Sequence, residues 1–223
     1  MISFLINDIV ENLSSTSYFK GYKYRKKDSR FINRTSDGFD AIELQYWDGF
    51  DLKRDSRALV VKPLYLKRFD VLHKWFEKYS FKSLVDQRSG YSIGFEGNMI
   101  GKDSDFYFLL DRLDFEKDFT KFKDEIIANS QSIFTKYATL EDLYYQEVYP
   151  ILQGDKGLPN VGADWVFEYL KLCKLIDPIN YIKLKELVLK QVEVMYKRGE
   201  PNISEYYSNL MKILVVIENE GER

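Results

Sequence analysis

The spacing of apolar residues changes once along this chain, near Leu113, and that change limits the fold more than any single motif does. Before it, apolar and polar residues alternate in short runs separated by turn residues; after it, apolar residues recur every three or four positions. Alternation places one row of side chains on one face of a pleated strand, whereas the longer interval gathers them into one stripe of a helix. The expected fold is therefore α+β: an N-terminal helix packed on a mainly antiparallel sheet, followed by an all-helical C-terminal half. The expected division is a sheet domain over residues 1–112 and a helical domain or subdomain packed on it over 113–223.

Ile2, Leu5, Ile6, Ile9, Val10 and Leu13 predict the opening helix, ended by the cluster Ser14, Ser15, Thr16 and Ser17. Asp37-Gly38, between apolar runs at 30–35 and 39–47, predicts two strands joined by a type I′ turn. With Asp37 and Gly38 as the loop, Arg34 pairs with Ala41, Ile32 with Glu43 and Phe31 with Leu44. Phe31, Ile42, Leu44 and Tyr46 then share one face, and Arg30, Arg34, Glu43, Gln45 and Trp47 share the other with Ile32. A third strand is expected over 58–66, where Pro63 requires an edge or a bulge. Phe69, Leu72, Phe76 and Tyr79 predict a short helix, and strands follow around Ile93 and over 106–110, with a turn at Gly97-Asn98 between them.

In the second half, Phe115, Phe119, Phe122, Ile126, Ile133 and Tyr137 form one helical stripe, and Thr139 with Asp142 reads as a capping box. Pro150 and the glycines between 154 and 162 mark a break before a helix carrying Val166, Tyr169, Leu170 and Cys173. Asp177-Pro178 starts the next helix, through Tyr181, Leu184, Val188 and Met195, and Asn202 with Glu205 caps the last. The run 213–217 is apolar all round its helix, which implies burial on more than one side: a central helix, or a homodimer contact.

At 223 residues the chain buries enough surface to fold without a disulfide or a metal. Its 45% hydrophobic and 30% charged residues separate it from disordered chains. A formal net charge of −2 gives no long-range pull toward nucleic acid or an anionic membrane, so such binding needs a local patch. A single cysteine, no basic leader before Asn7 and no apolar run of about 20 residues make the cytoplasm the expected compartment, with no membrane partner.

Little in the chain reads as chemistry. His73, the one histidine, is expected at the border of an apolar stripe, and Cys173 inside one, where a thiol is inert. One histidine and one cysteine do not make a zinc site, and Asp48, Asp51 and Asp55 miss the calcium-loop pattern, while Asp103 and Asp105 read as solvated loop charges. Residues 97–103 look like a phosphate loop, but the first glycine is one position too close and Asp103 stands where Ser or Thr belongs. No catalytic residue, metal or cofactor is assigned.

Charge is the exception. Lys20, Lys23, Arg25, Lys26, Lys27, Arg30 and Arg34 face only Asp28 in their stretch, with Tyr22, Tyr24 and Phe31 interleaved, which supplies the ingredients of a nucleic-acid surface. The following stretch, 37–51, carries Asp37, Asp40, Glu43, Asp48 and Asp51 and no basic residue. A hairpin brings the two blocks together, so mutual neutralisation is the expected outcome.

The segments Phe19-Lys20-Gly21-Tyr22-Lys23, Phe31-Ile32-Asn33-Arg34, Asp37-Gly38 and Ile42-Glu43-Leu44-Gln45 resemble a family of bacterial domains of unknown function. Its pattern is an opening helix, a GFK step, an F-x-R strand and an I-x-L-Q strand. The resemblance covers the first half and implies a sheet packed on the N-terminal helix. Some similar proteins are presumed immunity proteins, so it also implies a non-enzymatic interaction or adaptor module with no catalytic residues. Arg30, Arg34, Glu43, Gln45 and Trp47 are the expected contact residues for an unidentified protein partner, since interface hot spots favour Trp and Arg. Nucleic-acid binding through the basic hairpin, and an enzyme of unrecognised type, are the alternatives.

Overall fold

In the computed structural model, residues 2–80, 82–97, 105–159 and 164–219 are described. The chain opens with α1 (Ile2–Ser15), followed by β1 (Lys23–Arg25), β2 (Arg30–Arg34), β3 (Gly38–Asp51) and β4 (Ser56–Phe69). Then come α2 (Leu84–Ser89), β5 (Ile93–Glu96), β6 (Phe106–Leu109) and α3 (Phe115–Lys136). The remainder is helical: α4 (Leu140–Leu143), α5 (Tyr149–Gln153), α6 (Trp165–Ile176), α7 (Pro178–Lys197) and α8 (Ile203–Asn219). An α+β fold with a helical C-terminal half is thus what the sequence forms. Two compact units divide it, each made of two segments: Met1–Arg68 with Ile93–Lys136, and Phe69–Ser92 with Tyr137–Arg223. The helix α3, first of the helical run in sequence, belongs to the unit that holds the sheet.

In the sheet unit the strand order is β1-β2-β3-β4-β5, and β6 also pairs with β4. β4 is long enough to hold both: residues 58–61 pair with β6 and 64–67 with β5, all antiparallel. Pro63 falls in the gap between the two partners, where its missing N–H breaks neither ladder. Gly49 on β3 is required by close approach, since a Cβ there would collide with the Val60 side chain of β4. The core is aromatic: Phe106 and Phe108 of β6 meet Phe122 of α3 edge-on at 4.9 and 5.4 Å, and Phe19 and Tyr24 each lie 4.8 Å from Phe31.

The first hairpin corrects the sequence reading. Arg30 stands opposite Glu43, Phe31 opposite Ile42 and Ile32 opposite Ala41, so Ser36 and Asp37 form the loop and Thr35 donates its N–H to the Gly38 carbonyl at 3.2 Å. Neither Asp37 nor Gly38 has the positive φ that a type I′ turn needs. A slip of two residues leaves every side chain on its own face, so the apolar pattern cannot choose between the two registers. Direct cross-strand pairs can. The observed one sets Arg30 against Glu43 at 2.6 Å, where the Asp-Gly register would set Ile32 against that carboxylate.

In the second unit, residues 70–72 and 74–79 are 3₁₀ turns meeting at His73 in place of the expected short helix. β4 already claims Phe69, the first residue of the expected helical stripe. The Thr139 and Asp142 capping box is present. Between α4 and α5 lies a π-helical turn, Tyr144–Val148, and Pro150 follows in the first turn of α5, where its missing N–H costs no helical hydrogen bond. Phe167 bridges Phe76 at 5.7 Å and Tyr206 at 5.3 Å. On α8, Ile213, Leu214 and Ile217 are buried but Val215 is exposed, so the run is not buried all round; Tyr207, Met211 and Val215 form an outward stripe. Asn202 takes a left-handed conformation and accepts the Tyr206 N–H through its carbonyl instead of acting through its side chain.

Asp177 starts α7 as the sequence predicts. Its carboxylate accepts from the Asn180 side chain at 2.8 Å, from the Tyr144 hydroxyl at 2.7 Å and from the Asn180 backbone at 3.2 Å, and these bonds, the Asn180 amide first, hold its pKa below the ordinary carboxylate value. A depressed carboxylate stabilises the fold above its unfolded pKa and loses that contribution as pH falls through the folded one. Asp177→Ala is expected to cost about 1–2 kcal/mol at pH 7 by urea denaturation, with the gap to the parent protein narrowing below about pH 4.

Candidate functional site

The two charge blocks of the first hairpin do not neutralise one another. β3 lies between β2 and β4, so its acids have cations on both sides. Asp40 pairs with Lys67 of β4 at 2.8 Å, Asp48 with Arg57 of β4, and Asp51 with Arg54 of the β3–β4 loop at 2.6 Å. Only Glu43 reaches back, to Arg30, while Arg25 pairs with the nearby Asp28 and Arg34 lies over the Phe39 ring at 5.6 Å. Burial alone would raise the Asp51 carboxyl, but hydrogen bonds from the Arg54 side chain and from the Lys53 and Arg54 amides outweigh it and hold the pKa down.

Four lysines are left. Lys20, Lys23, Lys26 and Lys27 are exposed and make no ion pair among the described residues. They surround β1, an edge strand whose one strand neighbour among the described residues is β2. The interleaved aromatics point elsewhere. The Tyr22 ring packs on Phe19 at 5.3 Å, with burial and the Tyr18 hydroxyl raising its pKa, and Tyr24, packed on Phe31, is pushed up to about 12, chiefly by burial.

The expected contact residues share a face but not one environment. Arg30 and Glu43 are largely buried in their mutual pair, Arg34 and Gln45 are exposed, and Trp47 is 44% exposed. Ile32, Phe39 and Ala41, which lie among them on the same face, are buried. The solvent-facing members are therefore Arg34, Gln45 and Trp47, with the Arg30 and Glu43 pair setting the strands that carry them.

In the second unit His73 is buried between Ser92 and Glu168. Its Nε2 lies 2.9 Å from Ser92 Oγ and its Nδ1 3.5 Å from Glu168 Oε1, while Ser92 Oγ also accepts the Phe69 N–H at 3.0 Å. This is the connectivity of a nucleophilic Ser-His-carboxylate relay. However, Ser92 is 1% exposed, and the adjoining cavity measures about 10 Å³, room for one water and not for a substrate. The relay joins the 3₁₀ turns to α6. Sequence reasoning placed His73 at the edge of an apolar stripe but gave no sign of its partners, which come from separate segments. Cys173 is fully buried, and burial, then Asp177, pushes its thiol up to about 12.

A cleft of about 610 Å³ in the sheet unit lies between the β3–β4 loop, β6 and the start of α3. An enzyme of the unrecognised type would show such a pocket with convergent acids of raised pKa. Here Asp51 is held ionised, and Asp118 is bound to Arg54 at 2.6 Å. Among the described residues no group of three or more His, Cys, Asp or Glu could hold a metal ion, and no helix is long and apolar enough to cross a membrane. The loop resembling a phosphate cradle lies, beyond Gly97, outside the described residues.

No family model, curated protein or solved structure matches this chain. The site is therefore judged on its own geometry. The buried relay gives a direct test: Ser92→Ala removes one hydrogen-bond partner from each of Phe69 N–H and His73, and is expected to destabilise the protein by about 1–3 kcal/mol in urea denaturation.

Proposed function

We propose that this chain is a non-enzymatic protein-interaction module, of the immunity or adaptor kind, acting in the bacterial cytoplasm and binding an acidic protein surface with its basic sheet edge. The observation that carries the reading is the absence of acidic partners for Lys20, Lys23, Lys26 and Lys27 among the described residues, on and beside the edge strand β1. An edge strand offers unpaired backbone groups, and lysines there both discourage self-association and select a partner of opposite charge. Arg34, Gln45 and Trp47 extend the contact surface on β2 and β3.

A protein fits better than a nucleic acid. Stacking platforms need free aromatic faces, whereas Tyr22 and Tyr24 pack on Phe19 and Phe31. Bidentate phosphate recognition favours arginine, whereas Arg25 and Arg30 are engaged by Asp28 and Glu43. A homodimer contact, if formed, would use the outward stripe Tyr207, Met211 and Val215.

The experiment is capture of partners from nuclease-treated native lysate by the parent protein and by Lys20→Glu/Lys23→Glu/Lys26→Glu/Lys27→Glu. An acidic protein retained at low salt, released at high salt and held at least about tenfold more weakly by the variant is the expected result. Retention of the same protein by the variant, or binding that requires intact nucleic acid, would overturn the reading.

A further inference from the structure

The cleft beside α3 is separate from the lysine edge and independent of the interaction reading. Arg54 fixes its floor by donating to Asp51 at 2.6 Å, to Asp118 at 2.6 Å and to the Tyr107 carbonyl at 2.8 Å. The loop above it is held as well, because Asp51 accepts the Lys53 and Arg54 amides at 2.9 and 3.3 Å. The concavity is thus formed before anything enters it, and its volume of about 610 Å³ suits a small molecule.

Its lining has two characters. Phe50 and Leu52 present apolar surface to solvent, Leu52 at 88% exposure, beside Phe106 and Tyr107. Facing them are three lysines: Lys53 on the loop, and Lys117 and Lys121 one helical turn apart on α3. Lys53 and Lys117 make no ion pair among the described residues, and Lys121 has only a long contact with Glu125 at 3.8 Å. Of the acids in the lining, Asp51 and Asp118 share the one guanidinium of Arg54, and Asp105 and Asp114 complete the set. The four cations and four carboxylates of the lining balance, but Lys53, Lys117 and Lys121 are the cations without a close acidic partner among the described residues, and they border exposed aliphatic and aromatic surface.

We infer that this cleft binds a small organic anion, a phosphate or sulfonate carried on an aromatic or short aliphatic body, with the lysines holding the anion and Phe50 and Leu52 the body. Either part alone is insufficient: exposed lysines hold a bare anion weakly, and an open cleft does not exclude water from a neutral ring.

The probe is 1-naphthyl phosphate, titrated into the full-length protein and followed by amide chemical shifts, with inorganic phosphate and uncharged 1-naphthol as controls. Saturable binding with a dissociation constant on the order of 1 mM or tighter is expected, moving the signals of Phe50, Leu52, Lys53 and Tyr107. Lys53→Glu/Lys117→Glu, changes at exposed positions, should weaken it at least about tenfold, and neither control should match the probe. No saturation by about 10 mM, unchanged affinity in the variant, equal binding of either control, or shifts confined to other residues would each overturn the assignment. Should the variant fail to fold, the shift map and the two controls decide.

Discussion

Strand β3 is hydrogen-bonded on both sides, to β2 and to β4, so every carboxylate it carries can be reached by cations from two directions. Burial decides which pairs matter. Lys67 with Asp40, and Arg30 with Glu43, are the enclosed ones, and breaking an enclosed pair costs more than breaking an exposed one. The pairs of Arg57 with Asp48 and Arg25 with Asp28 are far more exposed and contribute about 0–1 kcal/mol. The enclosed pairs therefore hold the strands in register, and the exposed ones follow. The basic stretch before β2 is left with more positive charge than its hairpin partner can answer.

The second unit uses polar groups differently. Glu147, in the π-helical turn, accepts from Tyr137 at 2.9 Å and from Tyr169 at 3.3 Å and pairs with Lys156; His73 lies between Ser92 and Glu168. Each is a buried charge or imidazole given hydrogen-bond partners from distant segments. Such networks favour one packing arrangement over its neighbours, because any alternative leaves a buried group unsatisfied. These arrangements hold helices in place without requiring a chemical role.

Much of the architecture was legible because it depends on local spacing. The stripe Phe115, Phe119, Phe122, Ile126 and Ile133 is buried on α3, the caps at Thr139 and Asp177 are made, and the strands around Phe31, Ile42 and Ile93 are where alternation puts them. What was not legible depends on partners distant in sequence. Asp37-Gly38 is a strong local turn signal, yet the register obeys the Arg30 and Glu43 pair, and two-residue slips are invisible to a two-residue period. Neutralisation within the hairpin fails for the same reason: two strands taken alone omit Lys67 and Arg57 of β4, which pair with Asp40 and Asp48. The cleft escaped notice because its lining comes from three elements and shares no motif.

The claim on which the rest depends is the register of β2 against β3, since it places Glu43 beside Arg30 and leaves the neighbouring lysines unanswered. Cross-strand nuclear Overhauser contacts measure it directly. The account predicts backbone proton contacts linking Phe31 to Ile42 and Ile32 to Ala41, the directly opposed pairs. Backbone proton contacts linking Ile32 to Glu43 and Arg34 to Ala41 as directly opposed pairs would contradict it.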